Sequence, residues 1–582
     1  MTALHHNEIR LYHNGNILTV DDSFSTCSAL AVQGERILAT GSDADILPLA
    51  EEAIEVVDLS GRTVVPGLID THAHLDREGL KTVYPTLQGA TSIDDILSRI
   101  SALVQAARPG EWIVTMPIGN PPSYWDPLDK IKERRWPTRW DLDQVSPDNP
   151  VYIRPIWGFW RHKPPLVSIA NSQALELCGI DRATASPAPS VAIEKDARGE
   201  PTGIFVEETT MSIVELTLLR RSGGFTHNDR VEALRRSMKV YNSFGTTSVF
   251  EEHGASGELQ TAYRALREEG PLAVRANLLF SPSWSAVGGA PAANLLASWG
   301  AWLGGRGLGD DYLRVGGLYA LLEHEGEGSR SPLENSLRAS ASPYTGWAGF
   351  YYDAGLPREK LKSVLIEAAR NDIRCAAIST DILGLYEEVN RVAPIRDKRW
   401  IIGHIGILTK DQIARMRDLG IVCTTHTNRY IWRTGAKVLD DVGPAAEDTI
   451  APLAMLRDAG VPFCLATDNV PVSLFYPIWQ SVARKERIAE RVIAPSQKIT
   501  RRDALRAATI AGAYLTFEEN KKGSIEPGKL ADFVCLDANP LAVEESAIKD
   551  IAAEFVVVGG RNVYRKVGGA AEHTRADASV RA

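Results

Sequence analysis

The sequence lacks the features that would assign it to several special classes of protein. Its six cysteines include no CxxC pair, and no apolar run approaches the roughly 18 residues that cross a membrane. The net charge of −9 disfavours nucleic acid and anionic membranes as partners. The N-terminal residues contain no apolar stretch of the kind that directs secretion. We therefore expect a cytoplasmic protein whose cysteines are buried thiols.

The two ends of the chain are rich in short strands, and the middle is not. With 582 residues, of which 44% are hydrophobic and 24% charged, the chain can bury a large core. Short apolar runs separated by glycine turns fill 8–66 and return at 523–565. We predict a composite β-sandwich built from 1–65 and 520–567, followed by a flexible tail over 568–582.

The centre of the chain, 66–519, alternates strands with amphipathic helices, which is the pattern of parallel βα units. Eight segments are predicted as strands: 63–70, 246–253, 272–280, 312–322, 373–380, 399–406, 421–427 and 462–468. Eight such units predict an α/β fold of the (β/α)₈ TIM-barrel type.

A long insertion separates the first two of these strands. It covers 80–230, which is far longer than an ordinary βα connection. We expect it to fold over the barrel mouth as a cap. Its many aromatic residues, with Trp112, Trp136 and Trp160 among them, either contact an apolar or aryl group of a substrate or form the cap's own core.

Polar side chains that can bind a metal stand at the ends of the predicted strands. His72 and His74 end the first strand, and two residues apart on an extended chain they face the same side. Two such imidazoles can contact one cation. The ends of other strands carry His253, Glu323, His324, His404, His426 and Asp468. Because strand ends meet at one mouth of a barrel, we expect these residues to line one site.

Several segments carry a resemblance to a known family. PGLIDTHAH at 66–74, TDNVP at 467–471 and GSIEPGKLADFVCLD at 523–537 are similar to the amidohydrolase superfamily. IANSQALELCGI at 169–180 and EPTGIFVEE at 200–208 resemble its branch of N-substituted formamide deformylase and YtcJ-like hydrolases. The resemblance implies a distorted (β/α)₈ barrel with a composite β-sandwich and a divalent metal. It implies that His72, His74 and Asp468 bind this metal, with His404 as a further ligand.

Two positions depart from the pattern of that branch. It usually has a lysine near the end of strand four and a histidine in strand five, where this sequence has Tyr319 or a neighbour and Ala377. The departures leave open whether one ion or two bind. Glu207 could replace the lysine as a bridging ligand or could be a glutamate of the cap. His253 could be a substitute ligand or a residue that contacts substrate.

The chemistry that needs these residues is metal-assisted hydrolysis of an amide-type C–N bond in a small molecule. We expect zinc, with Mn, Fe or Co as alternatives that suit the same ligands. Asp468 is predicted as the proton shuttle and His404, or else His253, as the group that stabilises the oxyanion. The predicted substrate-binding residues are His253, His324, His426, Arg429 and Trp160.

Two other classes of function remain open at the level of the sequence. The altered strands four and five also suit a metal-dependent lyase, such as a decarboxylase or hydratase, on the same scaffold. A regulatory protein that has lost its metal is disfavoured, because His72 and Asp468 are both present. The related enzymes often form homodimers, but nothing in the sequence identifies an interface.

Overall fold

The computed structural model describes residues 8–120, 124, 127–155, 165–209, 211–287, 289–323, 337, 347, 349 and 355–566. Trp160, His324 and the predicted tail at 568–582 lie outside the described residues. Within the described ranges, no helix has the length and apolar character needed to cross a membrane.

The centre of the fold is a sheet of eight parallel strands that follow one another in chain order. These strands are Leu68–Asp70, Thr246–Ala255, Arg275–Phe280, Leu313–Tyr319, Cys375–Ala377, Ile401–Ile405, Val422–Thr425 and Phe463–Cys464. The short strand Leu308–Gly309 pairs antiparallel with the fourth of them. Each of the eight overlaps a segment predicted as a strand, because apolar runs suit strands that are buried on both faces.

The two edges of this sheet come together, so that the sheet curls. The Thr71 hydroxyl donates to the Leu465 carbonyl at 3.0 Å. The Asp468 N–H donates to the His72 carbonyl at 2.9 Å. This curled parallel sheet is consistent with the predicted TIM-type barrel, and the carboxyl ends of its strands converge on one side.

The first predicted strand is divided between two sheets. Thr63–Pro66 pairs with Phe533–Leu536, whereas Leu68–Asp70 pairs with the second barrel strand. The chain changes sheet at Gly67, where a Cβ atom would overlap the Thr247 side chain. The prediction of one continuous strand was therefore wrong, because an unbroken apolar run can serve two cores in succession.

The fourth predicted strand, 312–322, is also interrupted. Its barrel portion ends at Tyr319, and Leu321–Leu322 pairs instead with Gly355–Leu356 in a separate two-stranded sheet. Local apolar character could not show this change of partner.

Helices connect the barrel strands and cover their outer faces. They are Leu75–Leu80, His227–Ser243, Gly257–Glu268, Trp284–Val287, Ala292–Leu303, Arg358–Arg370, Leu383–Val392, Lys410–Leu419, Gly435–Val442, Leu453–Asp458, Phe475–Ala483, Arg501–Ala507 and Ile510–Leu515. Capping boxes begin three of these helices at Thr226, Thr409 and Thr500, where each threonine accepts a hydrogen bond from a backbone N–H of the first turn.

The insertion between the first two barrel strands has a sheet of its own. The spatial order of its strands is Val191–Lys195, Pro201–Glu207, Leu166–Ala170, Val151–Ile153 and Ile113–Thr115. The accompanying helices are Ile93–Ala106, Pro127–Lys130, Arg139–Asp143, Ser172–Leu177 and Ile213–Leu216. Trp112 and Trp136 pack against apolar clusters within this insertion. For these two tryptophans the structure supports the core role.

Strands from both ends of the chain share one six-stranded sheet. Its spatial order is Arg561–Arg565, Ala553–Val558, Phe533–Leu536, Thr63–Pro66, Asn16–Leu18 and Thr26–Cys27. A second sheet has the order Arg36–Gly41, Ala29–Gln33, Ile9–His13 and Ala53–Asp58, and the short helix Asp43–Ile46 adjoins it. The Tyr12 ring of the second sheet lies 5.0 Å from the Phe533 ring of the first, so the two sheets share apolar contacts.

Buried charges at the amino ends of the barrel strands are paired with one another. Arg275, the first residue of the third strand, donates to both carboxylate oxygens of Asp532 at 2.7 and 2.9 Å. Glu518 accepts from Lys522 at 2.9 Å and from Asn277 at 3.1 Å. These contacts fix the C-terminal segment against the barrel.

Candidate metal centre

His72 and His74 lie just beyond the first barrel strand, which ends at Asp70. The strand geometry that was used to predict the pair therefore does not apply. A bend brings the two rings together instead, with centroids 5.0 Å apart. Both side chains are almost completely buried. His74 also precedes the helix Leu75–Leu80, which packs beside the long helix His227–Ser243.

Two glutamates of the second barrel strand orient these imidazoles. Glu252 accepts a hydrogen bond from Nδ1 of His72, and Glu251 lies 3.3 Å from Nδ1 of His74. A carboxylate at Nδ1 holds the proton on that nitrogen, which leaves the Nε2 lone pair available. The Nε2 atom of His74 is buried and has no hydrogen-bond partner among the described residues. Both rings could therefore donate Nε2 to a cation.

A β-bulge allows adjacent residues of the second strand to reach the site together. The register with the third strand shifts between Glu251 and Ala255. The side chains of Glu251, Glu252 and His253, which follow one another in the chain, are all buried. Thr424 donates to Glu252 at 2.6 Å. The glutamates are thus fixed in place before any ligand binds.

Glycine leaves the room that Glu252 needs. A Cβ atom at Gly403, in the sixth strand, would overlap the Glu252 carboxylate. Tyr263 secures the second carboxylate by donating to Glu251 at 2.6 Å. A small residue in one strand therefore accommodates the charged side chain of another.

Asp468 lies among the imidazoles, although almost four hundred residues separate it from the first of them. Its Oδ1 is 3.3 Å from Nε2 of His74 and 3.7 Å from Nε2 of His72. Its Oδ2 is 3.2 Å from Nε2 of His426. The aspartate therefore faces three nitrogen atoms with its two oxygens.

His404 completes this arrangement from the sixth strand. Its Nε2 lies 3.2 Å from Nε2 of His72 and 4.0 Å from Oδ2 of Asp468. The backbone φ angles of His404 and Asp468 are +53° and +49°, which lie in the left-handed region that residues other than glycine seldom adopt. Such strain is concentrated at functional sites, where surrounding contacts hold it.

The donor atoms form two overlapping groups that could hold a metal ion. One contains His72, His74 and His253, and the other contains His72, His404 and Asp468, with all donor atoms of a group within 4.8 Å of one another. Imidazole nitrogens with a carboxylate oxygen suit zinc, manganese, iron or cobalt. The residues present therefore fit a divalent cation.

The protonation states of His404, His426 and Asp468 agree with this use. Burial lowers the pKa of His404 well below its usual value and that of His426 to about 4, so both rings are neutral near pH 7. Burial alone would raise the pKa of Asp468, but the imidazoles of His426 and His74 beside it hold this pKa well below its usual range. Neutral imidazoles and an ionised carboxylate are the forms that bind metals.

Reciprocal hydrogen bonds hold the two edges of the site together. The His74 N–H donates to the Asn469 side-chain oxygen at 2.9 Å, and the Asn469 amide donates back to the His74 carbonyl at 2.7 Å. Asp70 accepts from the Thr467 and His72 N–H groups at 3.0 and 3.2 Å. The spacing of the candidate ligands is therefore set by the backbone.

Glu207 lies elsewhere. It is buried in the insertion sheet, where it accepts a hydrogen bond from the Val214 N–H at 3.0 Å. Burial raises its pKa to about 8, so it is protonated near neutral pH. Among the described residues, neither group of candidate ligands includes it.

The remaining predicted residues are divided between the site and its surroundings. The ring of His253 lies 4.7 Å from that of His72, and the ring of His426 lies 4.7 Å from that of His404. Tyr319, which itself or through a neighbour takes the predicted position of the missing lysine, has its ring 5.6 Å from that of His253.

Arg429 is near enough for its charge to act on the site. Together with burial, which has the largest effect, it contributes to the lowered pKa of His404. Its guanidinium also lies 5.2 Å from the centre of the Tyr430 ring. Arg429 therefore stays a predicted substrate-binding residue.

The sequence analysis missed the residues that orient the histidines. Glu251 and Glu252 stand directly before His253 in a strand whose ten residues are all buried. Parallel barrel strands are usually apolar throughout, so consecutive acidic residues in such a strand were a usable signal. Asn469 had no comparable signal, because its role depends on the docking of distant segments.

Comparison with known proteins identifies the family. Residues 55–564 match the profile described as the amidohydrolase family. The chain belongs to the amidohydrolase family. N-substituted formamide deformylase of Arthrobacter pascens is 28% identical over 95% of this chain and 98% of that protein. Protein LONG AFTER FAR-RED 3 of Arabidopsis thaliana is 28% identical over 95% of this chain and 91% of that protein.

A solved structure shows the same fold. A metal-dependent hydrolase from Pyrococcus horikoshii matches this amidohydrolase with a TM-score of 0.64 and 21% identity, over 93% of this chain and 99% of that chain. The predicted resemblance to the superfamily and to its formamide deformylase and YtcJ-like branch is confirmed. The prediction of a hydrolase that acts on carbon–nitrogen bonds is also confirmed.

Proposed function

We propose that this amidohydrolase cleaves the C–N bond of a small N-substituted or N-acyl amide with the help of a bound divalent metal, for which zinc is our first choice. One observation carries the proposal: the Nδ1 atoms of His72 and His74 are both occupied by carboxylates, while Nε2 of each faces Asp468. The relative that deformylates N-substituted formamides supports the choice of bond.

The proposed ligands are His72, His74 and Asp468, with His404 as a fourth. A divalent cation in such a site would lower the pKa of a bound water toward neutral and polarise a carbonyl oxygen. The protein residues then have two tasks, which are to move the proton of the attacking water and to stabilise the developing oxyanion.

Asp468 is the proposed proton carrier. It is ionised near neutral pH, so it can accept a proton from the attacking water. The same carboxyl can then give this proton to the leaving nitrogen, which departs as an amine. Because its Oδ2 is 3.2 Å from Nε2 of His426, this imidazole would keep the carboxylate oriented during the transfer.

Two other histidines of the site are the proposed oxyanion donors. His404 is the first choice if it is not needed as a metal ligand, and His253 is the second; one such donor contributes roughly 3–4 kcal/mol to transition-state stabilisation. His426 and Arg429 are proposed to contact substrate.

We also propose that the two terminal sheets form the composite β-sandwich predicted from 1–65 and 520–567. The packing of Tyr12 on Phe533 supports this domain. We propose that the insertion at 80–230 acts as the cap of the barrel. Removal of metal should leave both regions folded, which limited proteolysis of the metal-free protein tests.

Metal and product analysis test the proposed function. The purified protein should contain a divalent metal, and a panel of N-substituted formamides and N-acyl compounds should yield an amine with a matching acid. Release of CO₂ without an amine would support the lyase instead. If no metal co-purifies and none restores turnover, both enzymatic alternatives fail and the regulatory alternative gains support.

Glu207 provides a separate test of the ligand set. The Glu207→Gln variant should keep the metal content of the wild type, because the carboxyl is protonated and bonded within the insertion. A loss of one metal per chain would restore Glu207 as a ligand.

A further inference from the structure

Arg433 occupies an unusual backbone element beside the candidate metal centre. It ends the π-helix Asn428–Arg433, which begins two residues after His426. π-helical turns are rare and occur frequently at functional sites. Because such a turn takes roughly four to five residues, Arg433 and Arg429 lie on a similar side of the helix.

The guanidinium of Arg433 is buried without hydrogen bonds. Its Nε, Nη1 and Nη2 atoms are all inaccessible to solvent, and none has a hydrogen-bond partner among the described residues. An arginine has five N–H donors, and leaving buried donors unsatisfied is costly. A group of this kind needs an explanation, and a ligand that accepts hydrogen bonds provides one.

Another buried arginine in the same part of the barrel shows what a structural role looks like. Arg484 donates to the carbonyls of Ile450, Ala451 and Ile493 at 3.1 Å or less. Its donors are satisfied by the backbone around it. Arg433 has no such set of acceptors, so packing alone does not account for it.

The charges around Arg433 connect it to the catalytic aspartate. Burial lowers the pKa of Arg433 to about 9, and Arg429 and Arg487 act in the same direction. Asp468 is the group that opposes this effect and favours the cation. Arg433 in turn helps to lower the pKa of His426, after burial as the main cause. The guanidinium is therefore within electrostatic reach of the reacting groups.

We propose that Arg433 binds a carboxylate of the substrate beside the metal centre, so that the preferred substrates are amides that carry an acidic group. The proposal rests on the proposed hydrolytic function and adds the substrate class. A carboxylate can accept two parallel hydrogen bonds from a guanidinium, which would fix the orientation of the amide relative to Asp468. A second cation, Arg429, disfavours a positively charged group at the same place.

Equilibrium binding of a matched pair of probes tests this role. N-formylphenylalanine carries a carboxylate, and N-formylphenylalaninamide has the same shape without the charge. Their dissociation constants would be measured calorimetrically with the purified, metal-containing enzyme and with Arg433→Gln and Arg433→Lys. Arg487→Gln is the matched control, because it removes a nearby cation on an exposed residue.

The wild type should bind the acid at least tenfold more tightly than the amide. Arg433→Gln should weaken binding of the acid by roughly 30- to 100-fold and leave that of the amide within about twofold, since a buried charge-assisted pair is lost. Arg433→Lys should retain part of the preference, and Arg487→Gln should retain nearly all of it. Melting temperature and metal content verify that each variant is folded.

Three results would overturn the proposal. They are a wild type without preference for the acid, an Arg433→Gln variant that binds the acid as tightly as the wild type, and an equal loss for both probes. If Arg433→Gln does not fold, the proposal is judged from the preference for the acid over the amide in the wild type and in Arg433→Lys. Turnover is recorded separately. A wild type that prefers the acid but hydrolyses neither probe nor any N-acyl compound would refute the hydrolytic function and leave the binding role standing.

Discussion

The two ends of the barrel strands both bury charged side chains, but these charges are satisfied in different ways. At the amino ends, Arg275 is matched by Asp532 and Glu518 by Lys522. At the carboxyl ends, Nε2 of His74 and all three guanidinium nitrogens of Arg433 have no hydrogen-bond partner among the described residues. The charged pairs named at the amino ends satisfy each other, whereas the groups named at the carboxyl ends have capacity for a ligand.

The difference shows that burial of charge alone does not identify a functional site. In a TIM-type barrel the amino ends of the strands serve stability and the carboxyl ends carry the chemistry. What separates the groups compared here is whether their donors and acceptors find a protein partner. Variants at the two ends should therefore change different properties of the enzyme.

The largest effect is expected for Asp468→Asn at the carboxyl ends. The amide cannot accept the proton of the attacking water, so kcat/KM should fall by roughly 10²- to 10⁴-fold. The free energy of unfolding should change little by comparison. Steady-state kinetics and chemical denaturation measure the two quantities, with the exposed Asp458→Asn as the control. Activity within twofold of the wild type would contradict the assignment.

Arg275→Met at the amino ends should have the opposite profile. It leaves Asp532 buried without its cation, which costs roughly 3–5 kcal/mol of unfolding free energy. The kcat of the folded fraction should stay near that of the wild type. Arg267→Gln, which breaks a partly exposed pair with Asp310, should cost less than about 1 kcal/mol. Equal destabilisation by both variants would remove the distinction between the pairs.

Acid should weaken the amino-end network through Glu518. Burial alone would raise the pKa of Glu518, but Lys522 outweighs it and lowers this pKa to about 2 from the ordinary 4.5. The unfolded chain therefore binds a proton before the folded chain does. The resulting stability, on the order of 3 kcal/mol, is present above pH 4.5 and lost as the pH falls toward 2. Denaturation between pH 2 and 6 should show a shallower slope for Glu518→Gln.

The smallest effect is expected for Glu252→Gln, which removes the carboxylate that orients His72. Loss of such an outer partner weakens metal binding by roughly 10- to 100-fold. Metal titration with a competing chelator measures this change. The exposed Glu268→Gln serves as the control. Unchanged affinity would show that His72 needs no carboxylate to bind the metal.

The barrel strands and most of the candidate ligands could be predicted from the sequence, because both depend on local patterns. Apolar runs predicted the eight parallel strands, and the polar residues that follow them predicted His72, His404, His426 and Asp468 near one another. Positions at strand ends converge in any parallel barrel, so the prediction needed no knowledge of side-chain packing.

What escaped prediction depends on contacts between distant segments. The change of sheet at Gly67 follows from packing against Thr247, which no local pattern shows. The bulge that turns Glu252 toward His72 is likewise a property of paired strands. Glu207 was proposed as a bridging ligand because the lysine typical of the branch is missing. Its buried position in the insertion follows from a sheet whose pairing the sequence did not predict.

The pairing of His74 with Asn469 joins residues that are 395 positions apart. At a synthesis rate of roughly 5–20 residues per second, the ribosome needs about 20 to 80 s to travel from one to the other. For that interval the nascent chain carries His72 and His74 without Asp468, the carboxylate that faces both imidazoles in the folded protein. The side chains grouped here as candidate metal ligands therefore come together only after the last barrel strand has been synthesised and docks beside the first.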